Sequence, residues 1–241
     1  MEQVPAQQKH WFKPLMWFLA LFILVFLGTI IIIDYHNSKK QVDPLAELTE
    51  GSDTQSSSEN INQAARSAIP QLETSDDPYL GPKDANIIVV EFGDFQCPYC
   101  QSEYQTVREV AAKYQSWVKF IFRDFPLSQI HDRAQAAAEA AGCAFAQGNE
   151  KFWAYHDKLF QSQDKLADAD LKNYAVQIGL DEKKFSECIS KGERKQEINE
   201  DFADGVANGV TGTPTFFFNG KKVKGLIPKE TFEKALDLFL K

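Results

Sequence analysis

Glu91-Phe-Gly-Asp-Phe-Gln-Cys-Pro-Tyr-Cys100 is the stretch from which the rest of this chain is read. Residues 87–92 form a short apolar run rich in β-branched side chains, the pattern of a buried strand. Pro98 suits the first helical position, where its missing N–H costs nothing, and residues 101–114 continue as a helix. Cys97 therefore falls at a helix N-terminus, where unpaired backbone N–H groups and the helix dipole stabilise a thiolate and lower its pKa. Cys100, one turn later, is placed to close a disulfide with it. A strand, two cysteines spaced by two residues, and then a helix is a redox arrangement. A zinc site would need a second ligand pair at compatible spacing, and the sequence offers none.

Outward from this stretch the composition is uneven. Residues 15–33 are uncharged and long enough to cross roughly 30 Å of hydrocarbon as a helix. Trp11, Phe12 and Trp17 flank one end and Tyr35 the other, as interface aromatics do. A cleaved signal peptide would have a shorter apolar region and a small-residue cleavage site, so the run is read as a retained anchor after a short N-terminus, residues 1–14. Lys9 and Lys13 before it balance Lys39 and Lys40 after it, so charge alone leaves the orientation open. Stable disulfide chemistry requires an oxidising space, which puts the N-terminus in the cytoplasm and the remainder outside. Residues 34–80 are expected to be a flexible, disordered linker, because acidic, Ser- and Gln-rich sequence buries too little apolar surface to order itself. Residues 41–80 alone carry eight acids against Arg66, so most of the net charge of −8 belongs to the tether. Residues 81–241 are close to neutral, and their scattered Lys and Arg give no basic stripe for nucleic acid.

The folded part then reads in order. Residues 118–122 form a second strand, ended by Arg123-Asp-Phe-Pro126, and a right-handed crossover sets it parallel to the first. An Ala-rich helix over 132–147 closes at Gly148. Helices follow at 150–161, 168–178 and 182–208, with Asn149, Asp168 and Asp181 as their caps. Residues 215–218, Asn219-Gly220 and 221–224 read as a hairpin with a type I′ turn, and a last helix covers 228–240. The fold class is α/β: strand, helix, strand, a helical insertion at about 130–208, hairpin and helix.

Gly93-Asp-Phe-Gln-Cys-Pro-Tyr-Cys100, the helical insertion and Gly212-Thr-Pro-Thr-Phe216 together resemble the DsbA-like thiol:disulfide oxidoreductases of the thioredoxin superfamily, over nearly all of 81–241. The resemblance implies a thioredoxin fold with a helical insertion, no cofactor, and catalysis by Cys97 with Cys100 as resolving thiol. It also implies that Pro214 is cis beside the cysteines, and that Thr213 offers backbone groups to an extended substrate peptide, with Pro98 and Tyr99 at the same surface. The family's acidic residue that assists proton transfer falls on Glu91. Strand alternation is able to aim this side chain beneath the cysteines, although a strand-end Glu exposed to water is the plainer alternative. Tyr99 stands where family oxidases often carry His, and Thr before the proline is shared with isomerases, which leaves an isomerase or reductase as the alternative to an oxidase. A non-catalytic module that binds metal or protein through the same fold is the reading from another class. The expected partners are reduced or misoxidised extracytoplasmic proteins and, by the resemblance, a quinone-linked membrane redox protein.

Cys143 and Cys188 both fall in the insertion; two free buried thiols are possible, but an even cysteine count outside the cytoplasm favours a structural disulfide. His131 and His156 have no second ligand at metal spacing and are read as surface or packing residues. Phe145, Phe152, Trp153, Tyr155 and Phe160 have helical spacing and are read as insertion core. The anchor makes one prediction of its own: the protein sediments with membranes and keeps residues 1–34. Sequencing a mature N-terminus beyond Asp34 would count against it.

Overall fold

The computed structural model of the protein describes residues 72–240, apart from 75. The expected anchor and most of the expected linker lie outside the described residues. Among the described residues no helix is long and apolar enough to cross a membrane.

The strands are β1 (Tyr79–Leu80), β2 (Ile87–Gly93), β3 (Val118–Asp124), β4 (Thr215–Phe218) and β5 (Lys221–Lys224), and the helices are α1 (Pro98–Lys113), α2 (Ala134–Phe145), α3 (Asn149–Gln161), α4 (Asp168–Gln177), α5 (Glu182–Lys191), α6 (Lys195–Ala207) and α7 (Lys229–Phe239). The strands make one sheet in the order β1-β3-β2-β4-β5. Central β2 runs parallel to β3 and antiparallel to β4, and its Ile-Ile-Val-Val run is buried because both faces of the sheet are covered. On one face Ile87 and Val89 pack with Val107 and Val110 of α1 and Phe232 of α7. On the other, Val90 and Phe92 pack with Ile121, Phe125 and Phe217. The outer strand β5 carries Lys221, Lys222 and Lys224, charges that discourage a further strand from adding to that edge. The β4–β5 turn has the expected geometry, with Asn219 at φ 46° and Gly220 at φ 84°.

Helices α2 to α6 form the insertion between β3 and β4. Ala137, Ala138, Ala140, Ala141 and Ala144 are fully buried on α2, and their small side chains let neighbouring helices approach closely. Phe152, Trp153, Tyr155 and Phe160 are buried in this core as expected, with Phe145 packed against it. His156 is also buried there, ringed by Phe95, Phe122, Trp153 and Phe160, and burial lowers its pKa, so it is a packing residue.

Five local expectations need correction. The domain does not start at residue 81: Leu72 is buried, and β1 pairs antiparallel with β3. Asn149 is not a cap but the first residue of α3. Its amide holds both backbone groups of Tyr79, accepting from the N–H at 2.9 Å and donating to the carbonyl at 2.7 Å. Nor is Asp168 a cap; Ala167 precedes the first turn, and Asp168 pairs with Arg133. Only Asp181 caps as expected, accepting from Lys184 N at 3.0 Å. The helix expected over 182–208 is broken at Gly192, whose φ of 61° lets Gly192 N–H and Glu193 N–H fold back onto the carbonyls of Ile189 and Cys188.

The fifth correction concerns the end of β3. Arg123 does not terminate the strand; it is 1% exposed inside it. Its guanidinium donates to Asp201 (Nε at 2.7 Å) and Asp204 (Nη2 at 2.8 Å) and lies 3.5 Å from Asp77. Burial of a charge on this scale is tolerable only with several partners, and these come from the segment before β1 and from α6. The polar residues that look like a strand stop are thus a junction between three segments.

Cys143 on α2 is joined to Cys188 on α5, 45 residues apart. Cys143→Ala is expected to lower the stability of the domain by about 2–4 kcal/mol, read as a lower denaturant midpoint. Finding both residues as alkylatable free thiols in protein taken from the cell would contradict the pairing.

Candidate active site

The loop between β2 and α1 is built around Asp94, which is 1% exposed. One of its carboxylate oxygens accepts from Gln96 N at 2.7 Å; the other accepts from Leu127 N at 2.9 Å and meets His131 Nδ1 at 2.7 Å. Cys97 N–H closes the turn on the Asp94 carbonyl at 3.0 Å. Cys97 then caps α1 in an extended conformation, with Pro98 at the first helical position as its φ requires. Gly93 is needed here because an added Cβ would lie 2.4 Å from the Phe122 ring. The insertion grips the loop from its far side: Gln163 Nε2 donates to the carbonyls of Phe95 and Cys97 at 3.0 and 2.8 Å, and Gln101 Nε2 donates to Phe160 O at 2.8 Å.

The Thr213–Pro214 peptide bond is cis, and Thr213 O lies 3.4 Å from Cys97 Sγ. Pro214 O accepts from Gly225 N at 2.9 Å, which ties this turn to the end of the hairpin. Cys97, Cys100, Thr213 and Pro214 are therefore brought together from opposite ends of the chain. Pro98 and Tyr99 stand exposed at the start of α1, Tyr99 at 61%. Glu91 is buried on β2 between Phe122 and Phe216, so the exposed strand-end alternative is excluded. Cys143 and Cys188 belong to the insertion instead.

Both cysteines of the pair are free thiols here, and their electrostatics are opposed. The Cys97 thiol is pulled down to about 5. A hydrogen bond from Cys100 contributes most; burial works against it, while Thr213 and the N–H groups of Cys100 and Tyr99 assist. The Thr213 hydroxyl is buried at this site without a hydrogen-bond partner. The Cys100 thiol is pushed well up by burial, by its bond to Cys97 and by the Glu91 charge. Glu91 itself is raised to about 8 by burial and then by repulsion from Glu103, and burial raises Glu103 to about 7. Near neutral pH the site thus pairs a thiolate with a thiol above a proton-holding carboxyl, the set needed for attack, resolution and proton exchange.

Asp94, Glu103 and Gln163 were not singled out from the sequence. Glu103 had a signal, since it lies one turn beyond Cys100 on the same helix. Gln163 had none, because its contact joins segments remote in sequence. The carboxylates of Asp124, Glu197 and Asp201 lie within 4.8 Å of one another, but the cation held there is the Arg123 guanidinium.

Comparison with known proteins agrees with this geometry. A family model described as thioredoxin matches residues 73–238. Among solved structures, the thiol-disulfide exchange protein alpha-DsbA2 of Wolbachia pipientis superposes with a TM-score of 0.65 at 23% identity, covering 74% of this chain and 97% of that one. A thioredoxin-like oxidoreductase of Silicibacter pomeroyi DSS-3 gives 0.63 at 25% identity, covering 70% and 95%. A curated relative named Na(+)/H(+) antiporter NhaA 3, from Salinispora tropica, is 42% identical over 160 residues. That match takes in 66% of this chain but 24% of the antiporter, so the antiporter's name describes a protein of which this chain spans about a quarter.

The opposed thiols are separable by alkylation of the reduced protein. Cys97 is expected to react with iodoacetamide at a rate that falls only below about pH 5, while Cys100 stays unmodified. A Cys97 midpoint at about 8.5, where free thiols titrate, would contradict the site's electrostatics.

Proposed function

Because this chain belongs to the thioredoxin family, we propose that it is a DsbA-like thiol–disulfide oxidoreductase that introduces disulfide bonds into proteins outside the cytoplasm while tethered to the membrane. The observation that supports the oxidising direction is Cys97 at the N-terminus of α1, where its thiolate is favoured, since whatever favours the thiolate favours the reduced enzyme and makes the Cys97–Cys100 disulfide a stronger oxidant.

The reaction runs as two exchanges. A substrate thiolate attacks Cys97 Sγ of the oxidised pair, the Cys97–Cys100 bond breaks, and Cys100 leaves as a thiolate that takes a proton. Its elevated proton affinity makes that uptake favourable, and Glu91 beneath it is the donor. A second substrate thiolate then attacks the substrate sulfur of the mixed disulfide, forming the product disulfide and expelling Cys97 as a thiolate. Two electrons have entered the enzyme. The Thr213 backbone, 3.4 Å from the reacting sulfur, lies where an extended substrate segment would hydrogen bond. Reoxidation falls to a membrane redox partner, quinone-linked by family resemblance, and an anchor at residues 15–33 would hold both in one plane. The uncharged run supports that tether.

Equilibration with glutathione tests the direction. The expected potential lies above roughly −270 mV, the value of reducing thioredoxins, and the oxidised protein is expected to restore disulfides to a reduced substrate while Cys97→Ser does not. A potential at or below that value, with reduction faster than oxidation, would assign the protein to the reductases.

A further inference from the structure

Glu103 has no part in the chemistry above, yet it is one of the most buried acids of the domain, at 3% exposure. It lies on the buried stripe of α1, between Cys100 and Val107. That stripe packs on the face of β2 to which Ile87 and Val89 point, and strand alternation sends Glu91 to the same face. Two carboxyls, one from the central strand and one from the helix that carries the thiols, therefore share a single apolar layer, and Cys100, one turn before Glu103 on α1, adjoins it from the insertion core. The rest of that layer is Val118, Phe120, Phe216, Phe218, Val223 and Phe232, from β3, β4, β5 and α7. Tyr114, farther along α1, commits its hydroxyl to Asp237 and the Glu233 carbonyl. The titratable groups facing Glu91 are thus Glu103 and Cys100, with Cys97 beyond, and no cation acts on either carboxyl among the described residues.

Glu103 is also held in a defined way. One oxygen accepts from Ile227 N at 3.2 Å, while the other is buried without a partner. An unpartnered carboxylate oxygen in an apolar layer is costly for packing alone, and a hydrophobic residue of the same size would serve better.

We propose that Glu103 is a positioning residue for proton exchange between Cys100 and Glu91: its negative charge keeps the proton on Glu91 until Cys100 leaves as a thiolate. This rests on the reading of the protein as a thiol–disulfide oxidoreductase. In the oxidising direction the Cys97–Cys100 bond breaks, the Glu91 O–H bond breaks, and the Cys100 S–H bond forms. In the reverse direction Cys100 returns the proton to Glu91 and its thiolate attacks Cys97 Sγ. Two carboxyls in one apolar layer do not both ionise easily, so their titrations are coupled, and removing the charge of one releases the proton of the other at lower pH.

The test uses the full chain in detergent with Cys97 held as a mixed disulfide with 5-thio-2-nitrobenzoate. Attack by Cys100 then releases the coloured thiolate, and its rate is followed against pH. In the wild type the rate rises as Glu91 becomes free to accept the Cys100 proton. Glu103→Gln preserves an acceptor for Ile227 N, and the midpoint of that rise is expected to fall by about one pH unit. Glu103→Met, uncharged and of similar length, is expected to shift it the same way, which covers the case that the Gln variant folds poorly. Glu91→Gln is expected to abolish the rise, and the double variant to behave as Glu91→Gln alone. An unchanged midpoint with a rate lowered equally at every pH, as a merely structural role would give, overturns the proposal. So does a Glu103→Gln shift that persists in the Glu91→Gln background. Failure of the wild type to release thiolate at any pH instead overturns the oxidoreductase reading, and this proposal with it.

Discussion

Negative charge on the Cys97 sulfur, in a residue 3% exposed, is the condition that the rest of the site is arranged to meet. Burial opposes it, and the opposing donors all depend on backbone placement. The sulfur must sit at the first turn of α1, where Pro98 suits the next position, and this needs a turn that delivers the chain from β2 at the right angle. Asp94 holds that turn from one side and Gln163 from the other. The Thr213 turn then completes the surroundings from the other end of the sequence. Each of these contacts acts on the charge by fixing a distance, and none is itself a cation.

The domain handles its other buried charges differently. Around Arg123 the solution is pairing: a guanidinium meets carboxylates of Asp77, Asp201 and Asp204, and the cluster draws three segments together. Beneath Cys100 no cation acts on the carboxyls of Glu91 and Glu103 among the described residues. Burial raises the proton affinity in both places, Asp77 and Asp201 to about 7 even with Arg123 beside them, so the contrast lies in the partner: a guanidinium that ties segments together in one cluster and a thiol in the other.

The sequence was most legible where local chemistry dictates geometry. Pro98, the two cysteines, Asn219-Gly220 and the β-branched run of β2 each have few conformational options, and all fall where their chemistry places them. Legibility failed where a polar side chain was committed to a remote partner. Asn149 reads as a helix cap until Tyr79 is beside it, Arg123 reads as a strand stop until Asp201 is, and Tyr79–Leu80 reads as tether until β3 offers an edge. Gly192 was a different failure: a lone glycine in a long helical pattern gives no sign of whether it will be spanned or will end the helix.

The Cys143–Cys188 link gives the protein an unusual relation to its own activity. A newly made chain arrives with four thiols, and two of them must be oxidised before the insertion that grips the active-site loop is complete. Under the oxidase reading, a mature copy is competent to perform that step on a nascent one. Production of the enzyme then has the form of an autocatalytic cycle, in which folded molecules seed the maturation of their successors. Once formed, the link is buried at 1% and 4% exposure of its two residues, out of reach of the thiolates the enzyme itself generates. Maturation therefore acts as a ratchet, open to the enzyme's chemistry in the unfolded chain and closed to it in the folded one.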